Sequence, residues 1–190
     1  MNSQTAIQDL QLCWWSYAVR GGLAIVFAAV LFFASSFLGI FFFDRVTLIY
    51  LSLLLGSFVL GNGLLLGVAA FFSFEHRLHI WWLLLCESGF TILLGIYIGM
   101  SFLLTPQSLA FLAGIHGVGN GCFETALAIK LRDDRPKLFL LAIAGIVSLV
   151  VGLAFLTHYN QAPRVTTQAL AGYELFCGII WMVFAYRLHK

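Results

Sequence analysis

A chain of 190 residues that is 62% hydrophobic and only 9% charged, with a mean hydropathy of +0.99, cannot hide its apolar surface inside one water-soluble domain. A net charge of +2, with no basic cluster carrying interleaved aromatics, excludes nucleic acid as a partner. Uncharged runs long enough to cross a bilayer, about 20 residues each, recur instead at 21–43, 46–74, 88–123 and 138–157, and 165–186 is broken only by Glu174.

Residues 1–13 are polar, carry no positive charge and lead to no cleavage site, so no targeting peptide is expected. The first helix, 14–36, then serves as the insertion signal and stays in the fold. It opens Trp14–Trp15–Ser16–Tyr17–Ala18–Val19–Arg20–Gly21–Gly22, a Trp pair followed by one charge, then Gly. The second helix, 46–72, carries Gly56 and Gly61–Asn62–Gly63. The third, 81–103, opens Trp81–Trp82–Leu83–Leu84–Leu85–Cys86–Glu87–Ser88–Gly89, the same order with Glu87 in the place of Arg20. The run 88–123 is too long for one crossing. Thr105–Pro106–Gln107–Ser108 splits it, with Thr105 as an N-cap and Pro106 as the first helical residue. The fourth helix, 107–130, carries Gly114, His116, Gly119–Asn120–Gly121 and Glu124. The fifth, 138–157, belongs to a weaker copy of the opening, Lys137 to Gly145, with Ile143 where the charge would be. The sixth, 165–187, carries Gly172, Glu174 and Cys177–Gly178–Ile179.

These matches define the expected fold: an all-α integral membrane protein, one domain over 1–190, with six transmembrane helices as three parallel two-helix hairpin repeats. The repeats are 14–74, 81–132 and 137–188. Gly56, Gly114 and Gly172 recur at a spacing of 58 residues. Repeats that all run in the same direction are related by an axis along the membrane normal. Gly63–Gly67, Gly95–Gly99 and Gly117–Gly121 are small-xxx-small pairs. Lipid offers no hydrophobic drive for helix association, so close backbone approach has to supply it. The Trp pairs read as interfacial anchors. An even helix count puts both termini on one side. Of the 10 Lys and Arg, only Arg45 and Arg164 fall on the other. Positive loops stay in the cytoplasm, so both termini are expected there.

Arg20 and Glu87 lie six residues beyond the first Trp of their pairs, about 9 Å down a helix. Glu124 lies six residues before Lys130 at the same end. The three are expected to share one layer and face one another, since a lone charge at a helix centre costs roughly 2.5–3.5 kcal/mol. Two acids and one base leave one carboxylate without a full partner. His116 and Glu174, again 58 apart, form a deeper set. Asn62 and Asn120 lie between the layers. His116, Asn120 and Glu124, at i, i+4 and i+8, form a stripe on one helix face. The stripe reads either as a wet proton path or binding cleft, or as a polar seam that sets how three hairpins dock. Arg20 with Glu87 reads first as a structural ion pair.

Chemistry of the soluble kind is thin. No phosphate loop, nucleophile elbow or His-Glu-x-x-His motif is present, so no enzyme activity and no cofactor are expected. Cys13, Cys86, Cys122 and Cys177 form no Cys-x-x-Cys pair, which argues against a metal site and reads as small apolar filler. His76, His79, His158 and His189 sit at helix ends or in loops, as interfacial polarity.

Tyr17 to Phe27, Trp81 to Gly89 and Ala126–Leu127–Ala128–Ile129–Lys130–Leu131–Arg132, within a match covering about 14–188, resemble the HdeD family of bacterial acid-resistance membrane proteins. Where that family carries a Trp-Pro or Asn-Pro turn, this chain has Phe41–Phe42–Phe43–Asp44–Arg45. The resemblance implies an inner-membrane protein linked to acid or envelope stress, without enzyme activity. The expectation is therefore a non-enzymatic protein of that type, acting through titration of its intramembrane Glu and His groups. The alternatives are a small transporter or channel for protons or another solute, and an assembly subunit. The bilayer is the expected partner, with a homo-oligomer or a partner protein left open.

Overall fold

The computed structural model describes residues 13–38, 45–75, 80–101, 105–130, 135–158 and 163–189. Every regular element among them is helical: α1 (Trp14–Leu38), α2 (Arg45–Glu75), α3 (Trp81–Met100), α4 (Pro106–Lys130), α5 (Arg135–Thr157) and α6 (Pro163–His189). The helix ends match the expected ones within three residues. The expected loop residues His76, Arg77, His79 and Arg132, and the turn at 41–44, lie outside the described residues.

Local chemistry explains the best-defined helix start. The Thr105 side-chain oxygen accepts the Ser108 backbone N–H at 3.2 Å, and the Thr105 N–H donates to Ser108 Oγ at 3.3 Å. That reciprocal cap satisfies two orphan donors, and Pro106 occupies the first helical position, where a missing N–H costs nothing. At the other side of this turn, α3 stops at Met100, short of the expected 103. Ser101 leaves helical geometry at φ −89° and ψ 82°.

Five helices, all but α4, are long and apolar enough to cross a membrane, as expected of a multi-pass membrane protein. α4 falls short because it carries Gln107, His116, Asn120 and Glu124. The solvent-accessible faces match a lipid setting. Val26, Phe33, Phe71, Leu93, Ile129, Phe139 and Val150 all point outward, while Arg20, Glu87, Glu124 and Glu174 are buried.

The six helices close into a ring in which each packs antiparallel to both neighbours and α6 returns to α1. The seams alternate between close and loose. α2–α3, α4–α5 and α6–α1 are the close ones; α1–α2, α3–α4 and α5–α6 are looser. The closest partners therefore straddle the expected hairpin boundaries: the second helix of each expected repeat packs hardest on the first helix of the next.

Glycine is the reason. A Cβ built at Gly95 would lie 2.6 Å from Leu60 N, and one at Gly56 would lie 2.7 Å from Gly99 N. Across α4–α5, a Cβ at Gly152 would lie 2.5 Å from Val118 N, and one at Gly121 would lie 2.7 Å from the Gly145 carbonyl oxygen. Across α6–α1, Gly21 and Gly178 face each other, with a Cβ at either within 2.9 Å of the other's carbonyl oxygen. Backbone meets backbone at all three, so dispersion acts at the shortest axis separation. Gly63, Gly67, Gly95, Gly117 and Gly121 of the expected small-xxx-small pairs serve these seams.

One end of the ring collects the aromatic anchors. Trp14 meets His189 edge-on at 4.6 Å, Trp15 meets Phe72 at 6.1 Å, and Trp81 meets Phe74 at 5.3 Å. Lys130 Nζ lies 5.0 Å from the centre of the Trp82 ring. Rings with an apolar body and a polar edge suit a membrane–water boundary.

Candidate functional site

The residues at issue are brought inward by helix faces. Arg20 sits on the side of α1 that also carries Tyr17, Ala24, Phe27 and Leu31, all buried. Glu87 lies on the α3 face of Leu83, Leu84, Ser88, Thr91, Gly95 and Ile98. On α4 the i, i+4, i+8 spacing turns His116, Asn120 and Glu124 to the same interior. All seven residues singled out in the sequence, with Asn62 on α2 and Glu174 on α6, are at most 5% exposed.

Arg20 joins them. Its Nη2 donates to Glu87 Oε1 at 3.3 Å, an ion pair that crosses the ring from α1 to α3. The same guanidinium lies 4.4 Å from the centre of the Trp181 ring on α6. Trp181 Nε1 in turn donates to Glu124 Oε1 at 2.7 Å. The indole thus contacts both cation and second acid, with its electron-rich face toward Arg20 and its N–H edge toward Glu124. The charge of Arg20 also acts on Glu174 and on His116. Of the buried carboxyl groups, Glu87 is the one that Arg20 is seen to pair with directly among the described residues.

Arg20, Glu87 and Glu124, expected in one layer, are therefore linked, Arg20 to Glu87 directly and Arg20 to Glu124 by way of Trp181, which contacts both. His116 Nε2 and Asn120 Nδ2 are 3.2 Å apart on α4. Asn120 Oδ1, Glu124 Oε2, Asn62 Oδ1 and Arg20 Nε are buried without a hydrogen-bond partner among the described residues. An unmet polar atom in a dry interior costs about 1–3 kcal/mol, so these atoms are the polar positions of the interior still open to a partner. Glu174, buried on α6, lies within the electrostatic reach of Arg20 and Glu124.

Several interior groups carried no sequence signal. Trp181 sits mid-helix rather than beside a charge or another Trp, so only its place seven residues after Glu174 hinted at a shared face. Tyr17 is buried against Phe184, with ring centres 5.0 Å apart. Tyr173 donates to Ser148 Oγ at 3.0 Å, and Ser148 Oγ lies 3.7 Å from Cys177 Sγ. That polar bridge joins α5 to α6 across a loose seam. Ser88 donates to the Gly63 carbonyl at 2.9 Å and pins α3 to α2 beside the glycines. His158 is exposed at the far end, with Nδ1 2.8 Å from Thr157 Oγ1.

Two apolar grooves of about 490 Å³ and 430 Å³ flank the far half of α6 and share Gly172. None of the seven polar residues lines either one. Among the described residues, no three His, Cys, Asp or Glu side chains gather to hold a metal. No protein-family model, curated protein or solved structure matches the chain.

Proposed function

We propose that this chain is a non-enzymatic, six-span protein of the bacterial inner membrane, built from three hairpin repeats with both termini in the cytoplasm, and that it supports acid or envelope-stress tolerance as the HdeD resemblance implies. In this reading α4 is the sixth crossing, with its polar stripe shielded by the other five helices. The interior cluster exchanges protons as the surrounding pH changes. The observation that carries the reading is the buried excess of carboxyl groups: Glu87, Glu124 and Glu174 around the single cation Arg20. Fully ionised, that group would hold three negative charges to one positive, an unfavourable state where water is excluded. Proton uptake relieves it, and the relief alters how α1, α3, α4 and α6 pack. Internal ionisable groups are the usual furniture of intramembrane proton relays.

The test is proton flux into proteoliposomes carrying the wild type and Glu87→Gln, Glu124→Gln and Glu174→Gln. The proposal expects pH-dependent flux in the wild type that drops at least severalfold in one or more variants. Flux equal to that of empty vesicles in every case would remove the proton path. A second reading, a carrier of a small solute, is favoured by the four unpartnered polar atoms of Arg20, Asn62, Asn120 and Glu124. It expects uptake that Asn62→Leu and Asn120→Leu abolish.

A further inference from the structure

Asn120 and Glu124 are one turn apart on the inner face of α4, and each has one satisfied and one unsatisfied polar end. Asn120 Nδ2 is engaged with His116 Nε2, and Glu124 Oε1 accepts from Trp181. The two atoms left over, Asn120 Oδ1 and Glu124 Oε2, are both acceptors, and both are buried. Two bare acceptors one turn apart on the same buried face are unfavourable where water is excluded. A single hydrogen placed on Glu124 Oε2 turns one of them into a donor, which the other can accept directly or through one water molecule.

We propose that Glu124, and not the ion-paired Glu87, is the carboxyl group that holds a proton in the folded protein, and that Asn120 and Trp181 form its binding site. The proton, taken from hydronium in the adjoining water, resides on Glu124 Oε2 and is donated to Asn120 Oδ1, directly or through one water molecule. The result is an unbroken chain in which Trp181 Nε1–H donates to Glu124 Oε1, Glu124 Oε2–H donates to Asn120, and Asn120 Nδ2–H donates to His116 Nε2. The His116 proton then sits on Nδ1. Each link of the chain then pairs one donor with one acceptor, as a stable buried polar network requires.

The surroundings agree. Within electrostatic reach of Glu124 are Arg20 and Tyr17 from α1, Glu87 from α3, and Tyr173, Glu174 and Cys177 from α6, with Trp181 in direct contact. Arg20 is the one cation among them. Its guanidinium donates to Glu87 and lies over the Trp181 ring, while Glu124 takes the hydrogen bond of the indole N–H. Glu124 thus meets a neutral donor where Glu87 meets a charged one. Trp181 is a positioning residue: its N–H engages Glu124 Oε1 and so fixes which carboxylate oxygen remains open.

The site deepens the reading given under Proposed function by naming the group that carries the proton, but it stands or falls on a different measurement. Infrared spectra of the full chain in phosphatidylethanolamine–phosphatidylglycerol vesicles at pH 7 report the C=O stretch of a protonated carboxyl group directly. The expected result is a band that disappears in Glu124→Gln, remains in Glu174→Gln and shifts in Asn120→Leu. Glutamine mimics a protonated glutamate, with one acceptor for Trp181 and donors for Asn120, so Glu124→Gln also melts at or above the wild-type temperature. The opposing arrangement turns the Asn120 amide over, so that Nδ2 donates to an ionised Glu124 and the His116 Nε2–H donates to Oδ1. It yields no such band and a Glu124→Gln variant that melts lower, and either result overturns the proposal. Should Glu124→Gln fail to fold, the proposal is already overturned on stability. Loss of proton flux with the band intact removes the proton path and leaves this site; loss of the band with flux intact removes this site and leaves a path through Glu87 or Glu174.

Discussion

The seam between α4 and α5 and the seam between α3 and α4 share a helix and are held by different means. On one side of α4, Gly114, Gly117 and Gly121 meet Gly145 and Gly152, and the two backbones touch. On the other side, Phe90 and Phe123 lie 6.2 Å apart at a tilt, and Lys130 rests over Trp82. The same alternation runs round the ring, with Phe27 stacked on Phe58 at 4.0 Å across the loose α1–α2 seam. Close seams spend the helix surface on contact, and loose seams leave room between the helices for side chains. The large polar side chains, Arg20, Glu87, Glu124 and Trp181, find that room toward the centre. A bundle close-packed at all six seams would have nowhere to put a guanidinium.

That contrast can be broken at the interior first. Arg20→Leu removes the cation paired with Glu87 and is expected to cost about 3–5 kcal/mol, the range for stranding a buried charge. Its deficit against wild type should shrink as the pH is lowered, because protonation removes the negative charge that the lost cation had balanced. Thermal unfolding in detergent across a pH series measures both. A deficit independent of pH would mean that the carboxyl groups do not answer to Arg20.

The close seams come next. Gly152→Ala puts a methyl group 2.5 Å from Val118 N, where neither backbone can yield. A loss of about 1–3 kcal/mol is expected, the usual cost of overpacking. Trp181→Phe keeps a ring over Arg20 and deletes the N–H donor to Glu124. About 1–2 kcal/mol should be lost if Glu124 Oε1 is left bare, and no loss would show that the indole N–H is dispensable. Phe58→Leu at a loose seam removes the stack on Phe27, worth about 0.5–1.5 kcal/mol beyond area. The smallest effect belongs to Gly22→Ala, next door to Gly21 but with nothing within 4 Å of the added carbon. A change within about 0.5 kcal/mol is expected there. If Gly22→Ala harmed the protein as much as Gly152→Ala, the division into close and loose seams would fail.

The helices and the inward charges were legible from the chain because each rests on a local rule. A bilayer sets the length of an apolar run, Thr105–Pro106 has to begin a helix, and a charge in such a run has to face away from lipid. The pairing of helices was not legible. Connections of similar shortness, 101–105 and 131–134, join α3 to α4 and α4 to α5, so proximity in sequence favours neither. What separates them is which glycines oppose which, a property of two helices at once. Trp181 stayed hidden for the same reason: its meaning comes from Arg20 on α1 and Glu124 on α4, and neither is near it in sequence.

Composition and spacing alone thus determined an all-helical fold, where its helices begin and end to within three residues, and that Arg20, Glu87, Glu124, His116, Asn120, Asn62 and Glu174 turn away from the surface, since the cost of a polar group in an apolar setting is paid residue by residue. Only the tertiary structure decided that α2 clasps α3, α4 clasps α5 and α6 clasps α1, and that Arg20 goes to Glu87 while Trp181 takes Glu124. Those choices depend on which backbones can touch and which side chains converge, and both are settled by all six helices together.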